Sequence, residues 1–190
     1  MLDIRRKKSH KIIGDRSFSN NKSIVARLGK ICINCYEKNK IATVMKHIPG
    51  HGLSKTDTHL NQSIVHASKN KLLKKDFYPF KKCKSRFAMT AHITYSSIDP
   101  NNLATHSKIL IKKIIRNHIK FKGILISDDI SMKAIKTPLV QSAIKALNSG
   151  CNIVLHCNGK IKEMEKLVKV IPKIDNFTKN KTSQFNKFLM

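Results

Sequence analysis

The 190-residue sequence has no tryptophan and only 6% aromatic residues, although 41% of it is hydrophobic, an ordinary share for a chain that buries a core. No apolar run approaches the roughly 18 residues of a transmembrane helix, which excludes such a span and removes the membrane from the expected partners. No apolar stretch follows the charged start "MLDIRRKKSH", so it does not read as a secretory signal, and the cytoplasm is the expected compartment. The five cysteines, Cys32, Cys35, Cys83, Cys151 and Cys157, are an odd number without such a signal, which argues for reduced thiols. "CINC" has redox or zinc spacing. No second pair follows at ligand distance, however, and it falls inside a helical pattern, so these read as core or boundary cysteines. Acidic residues are scarce: 11 Asp and Glu against 38 Lys and Arg leave a net charge of +27. Such a balance ordinarily points to nucleic acid. Here the lysines are spread along the whole chain, and Asn, Ile and Lys are abundant together, as an AT-rich coding sequence produces. No specific nucleic-acid partner is expected, only weak, salt-sensitive attraction to polyanions.

What is present is an alternation. "IATVM" (Ile41 to Met45), "RFAMTAHI" (Arg86 to Ile93), "GILIS" (Gly123 to Ser127) and "NIVLHC" (Asn152 to Cys157) are short, apolar and bounded by turn residues, as buried strands are. Helices are expected over 23–38, 69–83, 107–119, 142–148 and 160–170. The third has Ile109, Leu110, Ile114 and Ile115 on one face, and the fourth ends at Gly150, a natural C-cap. Residues 1–174 read as one unit and 175–190 as a polar, loose tail. Strand followed by helix, repeated, is the signature of a parallel α/β sheet, closed as a barrel or open and doubly wound. No G-x-G-x-x-G follows the first strand to support a dinucleotide fold. In a barrel, Lys46, His47, His92, Asp128 and Asp129, all at strand ends, would gather on the carboxyl face, where such enzymes keep their chemistry.

Two stretches carry the chemistry. In "SDDISM" (Ser127 to Met132) an aspartate ends a buried strand, which is costly unless it is paired or functional. One of the pair can cap the next helix while the other acts as nucleophile, base or ligand. In "KHIPGHGLSKTDTH" (Lys46 to His59) two glycines turn the chain sharply into a long loop from about Gly50 to Ser68, and Asp57 stands two residues before His59. That spacing lets the carboxylate fix the imidazole tautomer and raise its basicity, as a proton shuttle requires. A polar surface loop is the bland alternative. His47, His51, Asp57 and His59 are also capable metal ligands, but they match no standard zinc spacing, and neither metal nor cofactor is expected.

"IIGDRSF", "KHIPGHG" with "DTH", "AMTAHITYSSIDP", "GILISDDISMKAI" and "GCNIVLHCNG", in that order, resemble the bacterial β-N-acetylglucosaminidases of glycoside hydrolase family 3, over about 2–172. The resemblance implies a (β/α)₈ barrel, and a two-step retaining hydrolysis that removes terminal β-N-acetylglucosamine from cell-wall muropeptide fragments during peptidoglycan recycling. It makes Asp128 the nucleophile, His59 the acid/base oriented by Asp57, and Arg16, Lys46 and His47 the contacts to sugar hydroxyls. A histidine in place of the second carboxyl group departs from the common retaining scheme.

The length departs from the family. A (β/α)₈ barrel takes about 250 residues, and the family's "D-x-E-G-G-x-V-x-R" segment is absent. "LDI" (Leu2 to Ile4) then reads as the end of the third strand, so the expected fold is an incomplete (β/α)₈ TIM barrel starting near that strand. Such a sheet has two open edges. A separate N-terminal polypeptide could complete it, the strands could close a smaller sheet, or the chain could be a catalytically inactive remnant or sugar-binding fragment.

Overall fold

The structure, a computed structural model, describes residues 1–7, 10, 11, 13–58 and 61–190. Its strands, in chain order, are β1 (Val44–Ile48), β2 (Ser63–Val65), β3 (Phe87–Thr90), β4 (Ile93–Tyr95), β5 (Ile124–Asp129) and β6 (Ile153–Leu155). β1, β3, β5 and β6 form one parallel sheet in the order β1-β3-β5-β6, while β2 and β4 pair in parallel. The register Val44–Phe87 and Phe87–Ile124 aligns the strands so that their carboxyl ends share one side. Leu2 adds to the free edge of β1, its N–H donating to the Lys46 carbonyl at 2.9 Å. Among the described residues β6 does not pair with β1, so this is an incomplete (β/α)₈ barrel.

Parallel neighbours need crossovers: α1 (Lys22–Lys38) precedes β1, α2 (Lys69–Lys71), a π-helical segment at Leu72–Asp76 and α3 (Tyr78–Lys82) lie between β1 and β3, a π-helical segment at Leu110–His118 between β3 and β5, and α4 (Leu139–Ser149) between β5 and β6, while α5 (Ile161–Val170) and α6 (Asn176–Leu189) follow β6. Asn21 caps α1, its side-chain oxygen accepting from the N–H groups of Ser23 and Ile24. Gly150 (φ 114°) ends α4 as expected: its N–H bonds the Leu147 carbonyl and that of Cys151 the Ala146 carbonyl. The core includes Ile48, Leu72, Phe77, Phe80, Ile93, Tyr95 and Leu125, all fully buried. Phe77 meets Tyr95 edge-on at 5.5 Å, and the Tyr95 hydroxyl donates to the Gly50 carbonyl at 2.7 Å, tying the core to the loop after β1.

Several elements differ from expectation, each for a local reason. β1 begins at Val44, three residues after Ile41, because Ile41 is spent on ending α1. Lys40 takes the left-handed conformation (φ 58°), and the Ile41 N–H bonds the Tyr36 carbonyl. The expected single helix over 69–83 is interrupted at Phe77, beside Pro79, which has no N–H to give and crowds the preceding turn. Over 107–119 the wider i→i+5 winding rotates the apolar stripe, so Ile111 is buried and Ile109 is 43% exposed. The long loop contains β2. The tail is not loose: 176–189 form α6, capped by Asp175 (Oδ1 to the Thr178 N–H, 2.6 Å). Phe185 packs edge-on against Phe87 at 5.0 Å, and Asn152 holds Thr178 at 2.9 Å.

Candidate active site

At the carboxyl ends of β1, β3 and β5 lies a cavity of about 160 Å³, lined by Ile13, Arg16, Lys46, His47, His51, Thr58, Met89 and Asp128. Four of the six expected site residues, Arg16, Lys46, His47 and Asp128, therefore meet at one cavity. Asp57 is next in sequence to its wall residue Thr58. His59 lies outside the described residues.

Two of the lining residues, His47 and His51, are held by a residue that sequence reasoning passed over. Asp3 is fully buried. Its Oδ2 accepts from the His47 N–H at 3.0 Å and bonds His47 Nδ1 at 2.8 Å, and its Oδ1 accepts from the His51 N–H at 2.5 Å. Burial alone would raise the Asp3 carboxyl, but hydrogen bonding and electrostatic attraction to His47, with His51, hold it below the ordinary carboxylate value. Bonding at Nδ1 fixes the His47 ring and leaves Nε2 for a ligand. The signal for Asp3 was available in "LDI": a carboxylate between two buried apolar residues is as costly as the one after "GILIS".

The Gly14–Arg16 turn is tied to the same segment. The Ser17 hydroxyl bonds the Asp3 carbonyl at 2.6 Å and accepts from the Arg5 N–H at 3.1 Å, which sets Arg16 at the cavity. Gly52 explains the second glycine of "GHG": a Cβ there would sit 2.1 Å from the Ile4 carbonyl oxygen. The backbone passes too close to the N-terminal segment for any side chain. His51, buried between them, bonds Thr58 Oγ1 through Nε2 at 3.2 Å, so it anchors the loop next to Asp57. Burial, and then the neighbouring His47, lower its imidazole to about 4 despite the Asp3 charge, so it is neutral near pH 7.

Asp128 and Asp129 are in different situations. Asp129 accepts from the Ser131 N–H (3.0 Å) and hydroxyl and from the Cys157 N–H (3.1 Å), so it pins the turn after β5. Among the described residues Asp128 accepts only from the Asp129 N–H, at 2.9 Å, and it borders the cavity. Behind β5 runs a directed chain. The Asp129 carbonyl must accept from His92 Nε2–H (3.0 Å), so His92 Nδ1 accepts from the Thr105 hydroxyl (2.7 Å). Thr105 is 2.8 Å from Thr90 Oγ1, which in turn accepts from the Asp128 N–H at 3.3 Å. Burial keeps His92 below its ordinary value, consistent with this neutral tautomer. His92 thus holds the strand end and does not line the cavity. Among the described residues no cluster of three or more His, Cys, Asp or Glu has the form of a metal site.

A parallel barrel sheet with cationic, imidazole and carboxylate groups gathered at its carboxyl ends is the arrangement of a (β/α)-barrel enzyme. The chain belongs to glycosyl hydrolase family 3: the model described as "Glycosyl hydrolase family 3 N terminal domain" matches residues 1–184. It is 36% identical over 152 residues to a beta-hexosaminidase of Nitrosomonas eutropha, covering 77% of this chain and 43% of that protein. It is 35% identical over 167 residues to the beta-hexosaminidase of Hydrogenovibrio crunogenus, covering 84% and 46%. The solved structure of NagZ from Neisseria gonorrhoeae in complex with N-trifluoroacetyl-D-glucosamine matches with a TM-score of 0.86 at 29% identity, over 97% of this chain and 53% of that one. The chain therefore spans about half the length of these relatives.

Proposed function

We propose that the chain carries the active site of a retaining β-N-acetylglucosaminidase, which removes terminal non-reducing β-N-acetylglucosamine from muropeptide fragments in cytoplasmic peptidoglycan recycling. The observation that carries this reading is the single cavity shared by Arg16, Lys46, His47 and Asp128, with the neighbouring Asp129 diverted to hold a turn. The names of the hexosaminidase relatives and the glucosamine derivative in the gonococcal structure agree with it.

In this reading Asp128 attacks the anomeric carbon and forms a glycosyl-enzyme. His59, oriented by Asp57, protonates the departing oxygen and then takes a proton from the water that releases the sugar. Arg16, Lys46 and His47 hold ring hydroxyls, His47 through the nitrogen that Asp3 leaves open, and contacts that tighten in the transition state speed the reaction. No metal or cofactor takes part. Residues 1–174 form the catalytic unit, and α6 is an accessory helix on its far end.

The open edge of β6 and the exposed row Ile161, Met164 and Val168 on α5 favour a second component, a complementing polypeptide that adds strands and helices there. The same exposure favours an alternative in which the chain by itself binds sugar without turnover. The test is hydrolysis of 4-nitrophenyl N-acetyl-β-glucosaminide by the wild type and Asp128→Asn, each with and without a polypeptide supplying the "D-x-E-G-G-x-V-x-R" segment. Turnover lost in Asp128→Asn, with sugar binding retained, supports the enzyme. Equal turnover by both chains sinks Asp128 as nucleophile. Binding without turnover in every tube selects the alternative.

A further inference from the structure

At the opposite end of the sheet, where Gly123 leads into β5 and Phe87 opens β3, lies a second and larger cavity of about 660 Å³. Among the described residues its cationic side chains are Lys81, Lys84, Arg86, Lys120, Lys122 and Lys181, and Glu37 is its only carboxylate, a net of five positive charges. From this groove we infer a binding site for a small polyphosphate anion of the nucleoside triphosphate class, distinct from the sugar site.

The positive charge here is concentrated, and only part of it is engaged: Arg86 is ion-paired with Glu37 and Lys181 donates to Gln184 Oε1 at 3.2 Å. Glu37 pairs with Arg86 Nε only as an ion pair at 3.7 Å, too long for a hydrogen bond, and that buried nitrogen has no hydrogen-bond partner among the described residues. The Arg86 guanidinium is nevertheless held in place, stacked 3.9 Å over the Phe188 ring of α6. Two carbonyls on this connection are occupied from the other side: Arg116 Nη1 donates to that of Phe121 at 3.1 Å and that of Gly123 at 2.8 Å. Lys120, in the left-handed conformation (φ 61°), and Lys122 bracket Phe121 on the short connection into β5, and both are exposed. Cations brought together at this density repel one another, and a ligand with three or four negative charges relieves that repulsion. The volume falls within the roughly 300–1,000 Å³ of small-molecule sites, which favours a compact polyphosphate over a polymer track. Phe87 and Phe185 add aromatic surface on which a nucleobase can rest.

The test is calorimetric titration of the full chain at 150 mM salt with inorganic tripolyphosphate, and separately with ATP. Three proteins are compared: wild type, the groove pair Lys84→Gln with Lys122→Gln, and a control pair Lys162→Gln with Lys166→Gln on α5. All four lysines are exposed, so the variants keep the fold, checked by circular dichroism, and the two pairs remove the same charge. Saturable one-site binding in the wild type, weakened at least about tenfold in the groove pair and less than about twofold in the control, is expected. ATP binding more tightly than tripolyphosphate identifies a nucleotide that uses the aromatic surface; equal affinities identify the phosphate chain alone. Equal weakening by both pairs would mean diffuse charge and overturn the site. So would non-saturable heats, or binding of a single-stranded RNA oligomer by a chain that ignores tripolyphosphate. Asp128→Asn leaves this binding unchanged, which separates its fate from that of the sugar reading.

Discussion

Asp3→Asn is the most informative single change, because it removes one charge and almost no volume. The carboxylate receives two bonds at Oδ2, both from His47, and one at Oδ1 from the His51 N–H. An amide accepts at only one of those positions and presents N–H groups at the other. Keeping the carbonyl toward His47 loses one charge-assisted bond and buries an unpaired donor, for a cost of about 2–4 kcal/mol; the reverse orientation loses two bonds and costs more. Against a total stability of about 5–15 kcal/mol, and a urea slope of about 1–3 kcal/mol/M, the midpoint should fall by about 1 M or more at pH 7. The Asp3 carboxyl lies below its ordinary value in the folded chain, so its contribution is complete above the ordinary carboxylate value of 3.8 and is lost as pH falls through the folded value. The gap between wild type and variant should therefore narrow in acid. Urea titrations of both proteins from pH 7 to pH 3 measure this. A midpoint within about 0.3 M of wild type at pH 7, or a gap that stays constant in acid, would show that Asp3 does not organise the site.

Three further outcomes follow. His51 and His106 are both lowered to about 4 by burial, so the unfolded chain binds the extra protons. Stability should then fall between pH 7.5 and 5 by about 2 kcal/mol for each. His106→Asn should remove its share of the slope, and a urea midpoint flat over that range contradicts the assignment. Gly52→Ala would press a methyl group against the Ile4 carbonyl and should cost about 2 kcal/mol or more, read as a drop in melting temperature. Phe185→Ala should free α6, costing about 1–2 kcal/mol and speeding proteolysis after residue 175, whereas cleavage at the wild-type rate would mean that α6 does not dock.

The order of strands and helices was legible because each buried strand of a parallel sheet is a short apolar run with a polar residue where it surfaces, and this rule located Lys46, His47 and Asp128. Elements held by distant partners were not legible. β2 is three residues long and exists only through β4, and no local pattern distinguishes it from loop. α6 is polar over most of its length, docks through Phe185 and Asn152, and so reads locally as a tail. Lys40 and Lys120 occupy left-handed positions that a sequence reader assigns to glycine, which is why the start of β1 was misplaced.

The adjacent aspartates show where a sequence stops and a structure begins to discriminate. Both are carboxylates at one strand end, and composition cannot choose between them. The family resemblance assigns the nucleophile to Asp128, and counting which lone pairs are already used supports that proposal. Asp129 is occupied by the Ser131 and Cys157 donors, which stabilise its charge, fix its direction and make it a poor nucleophile. Asp128 accepts one backbone N–H and borders the cavity that holds Lys46 and His47. Its remaining acceptor capacity is uncommitted among the described residues, and its backbone is held from behind by the Thr90–Thr105–His92 chain. A carboxylate that is fixed in position yet left chemically unspent is what the proposed attack on a bound sugar would require, and the proposal therefore gives that role to Asp128 rather than Asp129.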